Sequence, residues 1–446
     1  MKYGMSKEST IKLWREELND ILEKTYRVLL KYPLCDHCLG RLFAKKGRGL
    51  GNDERGRAFK TLLSIQLYEA IKEEPLKAKN IVKTLARNGG GPLLSLYKTL
   101  YGESIGVEKC YICEGRLSHK YFNELAEIAI EILREYNASS FLIGVSISQE
   151  TRYRELNVID EIGIDYSESI KNEIKREVGK IVRDKTGIEP DFEKPDVVII
   201  FEFETNDYRV IVNPVLLEGY YWKKARNISH TIWISKGVKQ YPYSLQEFFN
   251  DSLRELFDAE EVVLHASGRE DVDARMLGTG RPMVIEIKNP KFRLVDKELL
   301  NSILCSDVIE AIITKDSSRS RIKYLKTELS KKTKVYRALV YVNKKVSQKD
   351  LEKLEEFFKN RTIRQLTPTR ILRRKKEHER IRKVYEVKAR LVSDNLFEAL
   401  IRADGGLYIK ELISGDNDRT NPSFSSVLGA EAYCIELDVI GVEVFL

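Results

Sequence analysis

The sequence predicts an α+β protein made of three regions: a helical region containing four cysteines (residues 1–135), a small α/β module (136–215) and a larger α+β domain (216–446). Three observations lead to this prediction. The chain of 446 residues is long enough for two to four ordinary domains. Apolar residues follow helical spacing in the first region, whereas strand-like runs alternate with helices after it. Beyond residue 215 the strands and helices mix without a regular β-α-β order, which favours a largely antiparallel mixed sheet.

Helices dominate the first region. Apolar side chains predict them over residues 8–31, 53–75 and 120–136, and the run Gly89-Gly90-Gly91-Pro92 interrupts the chain between the last two.

The same region contains two Cys-x-x-Cys pairs, Cys35 with Cys38 and Cys110 with Cys113. Two intervening residues let both sulfurs of a pair face one tetrahedral ion, and two pairs complete a four-thiolate site. We therefore predict one structural Zn²⁺ with no open position for catalysis, and residues 53–88 as an insertion looped out from it. Disulfides are the poorer alternative in a cytosolic chain, and a redox-active Cys-x-x-Cys would need only one pair and a thioredoxin-like context.

The second region combines strands at 141–147, 197–204 and 208–214 with a charged helix at 168–184. This mixture resembles the THUMP module, an RNA-binding unit.

In the third region, apolar runs predict four strands and four helices. The strands are expected at 284–288, 307–314, 335–342 and 436–445, and the helices at 245–258, 293–302, 349–358 and 394–402. Two further cysteines, Cys305 and Cys434, lie in apolar segments, and we expect both to be buried thiols.

Positive charge is unevenly distributed. The net charge of +8 is a small excess in a chain with 32% charged residues, a composition that also suits surface ion-pair networks. However, basic residues crowd the stretch 364–390, where only three glutamates oppose them, and smaller basic runs occur at 45–48 and 223–226. Such clustering favours a polyanion as partner. The chain has no apolar run of membrane-spanning length and no secretory signal, so we expect a cytoplasmic protein without membrane contact.

The stretch from His265 to Pro282 has the character of a functional loop. It follows an apolar strand and is dense in Gly, Arg and Asp, a mixture in which guanidinium groups can orient a carboxylate and also face phosphate. A surface turn stabilised by Arg–Asp pairs is the alternative. The chain has neither a P-loop nor a dinucleotide fingerprint, so ATP and nicotinamide chemistry are disfavoured.

Several motifs resemble those of one family. Gly268-Arg269-Glu270-Asp271 resembles the Gly-Arg-x-Asp motif of pseudouridine synthases. The longer string to Pro282 is similar to the signature of the archaeal stand-alone family that isomerises uridines 54 and 55 in the T-loop of tRNA. Lys334-Val335-Tyr336 and Tyr408-Ile409-Lys410-Glu411-Leu412 resemble two further motifs, with Lys410 in place of Arg. The segments 35–41 and 367–370 resemble the family's cysteine knuckle and RNA-gripping region.

This resemblance implies roles for individual residues. Asp271 would be the catalytic carboxylate, with Asp273 in the same loop as its rival. The implied uracil-binding and RNA-binding residues are Tyr336, which stacks on the base, Lys410, which pairs with the catalytic Asp, Leu412, which packs beside the uracil, Arg269, and the basic set Arg370, Arg373, Arg374, Lys375 and Lys376. The isomerisation needs an ionised carboxylate near the sugar and an extruded base, but no cofactor.

We therefore expect a monomeric tRNA pseudouridine synthase that recognises the T-arm. Two alternatives stay open: a THUMP-bearing tRNA-modifying enzyme of another class, and a non-catalytic, zinc-stabilised RNA-binding protein.

Overall fold

The computed structural model describes residues 7–47, 49–163, 167–372 and 376–442. The chain forms two compact units, Met1–Ile211 and Val212–Leu446. The predicted boundary at residue 135 falls inside the first unit, and that subdivision stays a prediction. Within the described ranges, no helix combines the length and hydropathy needed to cross a bilayer.

The first unit is mainly helical and includes a four-stranded sheet. Its elements are α1 (Lys7–Lys31), α2 (Asp36–Leu42), α3 (Asn52–Ile71), α4 (Lys79–Gly89), α5 (Gly91–Tyr101), α6 (His119–Glu135), β1 (Ser140–Ser146), α7 (Gln149–Ile162), α8 (Ile170–Thr186), β2 (Glu189–Pro190), β3 (Val197–Glu202) and β4 (Tyr208–Val212). The sheet order is β2-β1-β3-β4, with β1 parallel to both β2 and β3.

A large hydrophobic core runs through this unit, and a smaller cluster lies between α4 and α5. The large core includes Leu29 of α1, Leu39 of α2, Phe122 of α6, Ile174 of α8 and Ile199 of β3, all essentially inaccessible to solvent. The strands and helices predicted from apolar spacing at 120–136, 141–147 and 168–184 are confirmed, because their apolar positions face this core.

The segment between the two cysteine pairs packs tightly against α2 and is not looped out, contrary to expectation. A Cβ on Gly40 would lie 1.7 Å from the carbonyl oxygen of Asn52, and one on Gly56 would lie 2.0 Å from that of Asp36. Only glycine at both positions lets α2 and α3 cross so closely. The buried Lys60 of α3 donates to the Asp36 carboxylate at 2.6 Å, which ties the helices together.

The second unit is built on a ten-stranded sheet. Its elements are β5 (Val215–Lys223), β6 (Ile234–Ser235), β7 (Val238–Lys239), α9 (Leu245–Leu253), β8 (Glu261–Ala266), β9 (Arg275–Lys288), α10 (Lys297–Ile303), β10 (Ile309–Asp316), α11 (Arg319–Thr327), β11 (Lys334–Val342), α12 (Gln348–Phe358), β12 (Arg361–Leu366), β13 (Glu379–Ser393), β14 (Leu396–Ala403), α13 (Ile409–Ser414), β15 (Thr420–Asn421), α14 (Phe424–Leu428) and β16 (Ala432–Val442).

The large sheet has the order β10-β5-β9-β16-β11-β14-β13-β12-β15, and β8 pairs with β9 outside this path. Strand β16 lies between β9 and β11. It pairs antiparallel with β11 but parallel with β9, through Asp438 opposite Arg275 and Val439 opposite Met276. The prediction of a largely antiparallel mixed sheet in an α+β protein is confirmed.

One predicted element has the wrong type. Residues 394–402 were expected to be a helix, but they form most of strand β14, between β11 and β13. Phe397, Ala399 and Ile401 are buried and the residues between them are more exposed, a two-residue period typical of a strand. The prediction for Cys305 is also wrong, since its side chain is exposed, while Cys434 is half-buried.

Candidate active site and four-cysteine site

A pocket of about 340 Å³ opens in the second unit where distant segments of the chain meet. Its walls come from the turn between β8 and β9, the start of β11, the segment after β12, the start of β13, the turn leading into α13, and β16. Five of the residues singled out from the sequence line this pocket, namely Arg269, Asp271, Tyr336, Arg370 and Lys410. The structure thus brings together three motifs that are far apart in the sequence.

A buried lysine and a half-buried arginine hold the turn that carries Asp271. The Nζ of Lys223, which is 1% exposed, donates to the main-chain carbonyl oxygens of Asp271 at 3.1 Å and Val272 at 3.2 Å. Arg226 donates to the carbonyl oxygen of Asp273 at 2.8 Å. The basic run at 223–226 therefore contributes to the architecture of this turn as well as to the charge of the chain.

Glu270 is the buried anchor of the same turn. Its carboxylate accepts hydrogen bonds from Nε of Arg281 at 3.0 Å and from the hydroxyl of Tyr221 at 3.0 Å, and Lys223 Nζ lies 3.7 Å away. Burial would raise the pKa of Glu270, but the positive charges of Arg281 and Lys223 outweigh burial and lower the pKa to about 2. The side chain is therefore an anion throughout the physiological range.

The carboxylate of Asp271 points into the pocket and is about one third exposed. Arg370 donates to it at 2.9 Å and also to the buried Glu411 at 2.7 Å, so one guanidinium joins the turn to α13. Lys410 lies 3.9 Å from Asp271 but only 2.5 Å from Asp273. The nearest basic partner of Asp271 is therefore Arg370, whereas the resemblance had implied Lys410.

Aromatic and apolar side chains form one wall of the pocket. Tyr336 is 7% exposed, and burial raises the pKa of its phenol to about 12. Leu437 and Val439 of β16 extend the apolar surface beside it. Leu412 is fully buried in the core of the second unit, so the apolar lining beside Tyr336 comes from β16.

The rim of the pocket is strongly basic. Arg380 and Arg382 lie two residues apart in β13 and therefore share a face of the strand, and they line the rim together with Arg269 and Lys331. The guanidinium of Arg380 lies 5.0 Å from the centre of the Tyr408 ring, a cation–π contact that orients it. A rim of this charge suits a phosphate-bearing ligand.

The predicted RNA-binding set is only partly described. Arg370 lies in the pocket wall, as given above, and Lys376 is exposed just before β13. Arg373, Arg374 and Lys375 lie outside the described residues.

Four pocket residues lie within the motifs or the basic stretch quoted from the sequence, but no role was assigned to them there: Glu270, Arg281, Lys334 and Arg380. A signal did exist for Lys334, because residues two apart in a strand share a face, and Lys334 precedes Tyr336 by two. Glu270 occupies the variable position of the Gly-Arg-x-Asp motif, and its contacts with β5 and β9 depend on long-range packing.

The four cysteines of the first unit meet at one point. The Sγ atoms of Cys35, Cys38, Cys110 and Cys113 all lie within 4.8 Å of one another, and those of Cys35 and Cys113 are 3.6 Å apart. Three of the four side chains are buried and one is half-buried. The main-chain N–H of Cys38 donates to Cys35 Sγ at 3.4 Å, the turn geometry expected of a Cys-x-x-Cys pair. This donor set fits a metal ion bound by four thiolates.

A layer of buried charges surrounds α2 next to these cysteines. Arg41 is inaccessible to solvent; it forms an ion pair with Glu155 and contacts Cys38 Sγ at 3.7 Å through its guanidinium. His37 bonds to the buried Glu173 at 2.8 Å. A cation beside a cluster of thiolates offsets their negative charge and orients the ligands.

Two family models match the chain. "Pus10, C-terminal" matches residues 216–443, and "Pus10 THUMP domain, archaeal" matches residues 125–202.

Curated relatives match over nearly the whole length. A "tRNA pseudouridine synthase Pus10" of Thermosphaera aggregans is 46% identical over 96% of this chain and 98% of the relative. Proteins of the same name from Ignisphaera aggregans and Aeropyrum pernix are 40% identical (96% of this chain, 100% of the relative) and 39% identical (95% and 97%). Among solved structures, a chain of the "Crystal Structure of a Cbf5-Nop10-Gar1 Complex" is similar at 16% identity over 42% of each chain, with a TM-score of 0.27.

Proposed function

Because the chain belongs to the Pus10 family of tRNA pseudouridine synthases, we propose that it isomerises T-loop uridine of tRNA, at position 54, 55 or both, with Asp271 as the essential carboxylate. The coarser activity, conversion of uridine to pseudouridine in tRNA, follows from family membership. We propose the position of the modified uridine in the tRNA and the role of Asp271.

The observation that supports Asp271 is its setting. Its carboxylate faces a pocket of about 340 Å³, large enough for a nucleoside, while its main chain is fixed by Lys223 and its side chain by Arg370. Asp273, the rival, is 58% exposed and pairs with Lys410. Only Asp271 combines access to the pocket with a guanidinium that holds the carboxylate in one direction.

The surrounding side chains fit the chemistry of the isomerisation. The bond from ribose C1′ to N1 breaks, the uracil turns, and a bond forms from C1′ to C5. Tyr336 offers a ring on which the extruded base can stack, as aromatic side chains do in other base-extruding enzymes. The base leaves N1 with an electron pair, and the cationic lining formed by Arg269, Arg281 and Arg370 stabilises that negative charge.

The basic rim favours a polyanionic substrate. Arg380, Arg382 and Lys331 stand where the phosphates beside an extruded nucleotide would pass. These contacts would release counterions, so tRNA affinity should fall steeply as salt concentration rises.

We further propose that the metal held by Cys35, Cys38, Cys110 and Cys113 is Zn²⁺, the ion that four-thiolate sites commonly bind in proteins. It would stabilise the first unit. Such a site keeps no open position, so the metal would take no part in the reaction.

Two matched variants test the proposal. Asp271→Ala should abolish product while tRNA binding stays close to that of the unmodified enzyme, and Asp273→Ala should keep most of the activity. The substrates are tRNA transcripts with a single T-loop uridine at 54 or at 55, and the product is read as a mass-silent, carbodiimide-reactive nucleoside. Loss of activity in Asp273→Ala but not in Asp271→Ala would reverse the assignment. No product at either position with the unmodified enzyme would refute T-loop specificity.

A further inference from the structure

One buried titratable group in the pocket has no role in the chemistry described so far. Lys334 is the first residue of β11, is 6% exposed, and lines the pocket on the same face of the strand as Tyr336. Lysine is rarely buried without a partner because removing its charge from water is costly.

Among the described residues, the amine of Lys334 has neither a hydrogen-bond acceptor nor an ion-pair partner. The nearest carboxylate network, that of Glu270, is already engaged by Arg281, Lys223 and Tyr221. Gly268 leaves the space that the amine occupies: a Cβ on that glycine would lie 3.0 Å from Lys334 Nζ and 3.6 Å from a nitrogen of Arg281. The geometry of the turn and the position of the buried amine therefore depend on each other, and the open side of the amine faces the pocket.

The isomerisation requires one step that the carboxylate alone does not explain. Once C1′ has bonded to C5, that carbon still carries its hydrogen, and a base must remove it as a proton. The other candidates in the pocket are poorly suited. Asp271 is bound to Arg370, Lys410 is bound to Asp273, and Tyr336 is a phenol whose pKa is raised to about 12 by burial.

We propose that the neutral amine of Lys334 accepts the C5 proton of the rotated uracil; this step rests on the proposed function. The lone pair of Nζ takes the proton, and the electrons of the C5–H bond restore the C5–C6 double bond of the ring. The ammonium then returns a proton to N1, the atom that lost its bond to the sugar. One C–N bond breaks, one C–C bond forms, and one proton moves from C5 to N1, so no co-reactant is consumed.

The electrostatic environment agrees with this role. Burial lowers the pKa of Lys334 to about 7, and the nearby positive charge of Arg281 contributes in the same direction. An amine that titrates near neutrality can both accept and return a proton at working pH.

The test compares Lys334→Met with an exposed control, Lys323→Met on α11, under single-turnover conditions. Uridine tRNA and 5-fluorouridine tRNA are the two substrates, since a fluorine at C5 cannot leave as a proton. We expect Lys334→Met to form pseudouridine about 10²- to 10⁴-fold more slowly, with tRNA affinity unchanged. Its consumption of 5-fluorouridine, which tests only the steps before proton removal, should stay near that of the unmodified enzyme. Deuterium at C5 should slow the variant more than the unmodified enzyme.

Several outcomes would overturn the proposal. One is pseudouridine formation by Lys334→Met at the rate of the unmodified enzyme. Another is an equal loss of reactivity toward both substrates, which would mean that Lys334 acts in cleavage of the bond between C1′ and N1. Lys334→Arg serves as a second variant in case Lys334→Met does not fold: it keeps a long basic side chain, but a guanidinium stays protonated and cannot accept a proton, so this variant should consume 5-fluorouridine without forming pseudouridine. The pH profile of the unmodified enzyme should rise through about pH 7 as the amine loses its proton. An unmodified enzyme that forms no pseudouridine would instead refute the proposed function itself.

Discussion

Replacing Glu270 by glutamine should destabilise the second unit strongly, although the substitution changes neither the size nor the shape of the side chain. The side chain of Glu270 is 1% exposed, and it is the anion that neutralises Arg281 and Lys223, two cations that are each also 1% exposed. Glutamine would leave both positive charges buried beside a neutral amide. Removing one member of a buried ion pair commonly costs about 3–5 kcal/mol.

The pKa of Glu270 supports a similar magnitude. A fall from 4.5 to about 2 corresponds to roughly 3 kcal/mol of stability at neutral pH. Because the pKa is lower in the folded state, this contribution is fully present above about pH 4.5 and is lost as the pH falls toward 2. The difference in stability between the unmodified protein and Glu270→Gln should therefore be about 3 kcal/mol at pH 6 and should shrink below pH 4.5.

Urea unfolding monitored by tryptophan fluorescence provides the assay, because Trp222 and Trp233, two of the three tryptophans, belong to the second unit. Glu261→Gln is the matched control: Glu261 pairs with Lys288 on the surface of β8, and its loss should change the free energy of unfolding by less than about 0.5 kcal/mol. Equal stability of Glu270→Gln and Glu261→Gln at pH 6 would refute the reasoning. So would a difference that stays constant down to pH 2.

Two further predictions follow from the sites. Arg370→Met should lower kcat about 10- to 100-fold, because a charge-assisted hydrogen bond of about 1.5–3 kcal/mol to Asp271 is lost. Arg370→Lys should recover part of the lost kcat. An effect on tRNA affinity alone, measured by KM and direct binding, would contradict this role. Protein purified without chelators should contain about one Zn²⁺ per chain by elemental analysis. The Cys110→Ser variant should lose the metal and melt at a lower temperature, whereas Cys305→Ser should change neither the metal content nor the melting temperature. Full stability of the metal-free protein would contradict a structural role for the metal.

Local spacing predicted the features that depend on neighbouring residues. Two Cys-x-x-Cys pairs indicated the cluster that the structure forms, and the motif around Asp271 indicated the turn that lines the pocket. The basic partner of Asp271 could not be predicted in the same way. Arg370 reaches it from a segment 99 residues away, so the contact depends on how the strands are ordered in the sheet.

The misassigned strand has a physical explanation as well. Residues 394–402 contain both good helix formers and a two-residue alternation, and over so short a segment periodicity alone does not separate the two. The position of the segment in the sheet decides between helix and strand, because β14 lies between two long strands whose main-chain groups would otherwise lack hydrogen-bond partners. Tertiary hydrogen bonding therefore overrides local helix propensity.

The central position of β16 in the sheet has a consequence for the order in which the second unit can fold. This strand follows every other strand along the described chain, yet it alone joins the half of the sheet that carries Asp271 to the half that carries Tyr336. Until it inserts, β11 and the first residues of β9, Arg275 and Met276, lack a pairing partner on one side, and an unpaired edge invites pairing with other chains. A chain in which β16 is not yet in place lacks part of the pocket wall, because Leu437 and Val439 of this strand line the pocket.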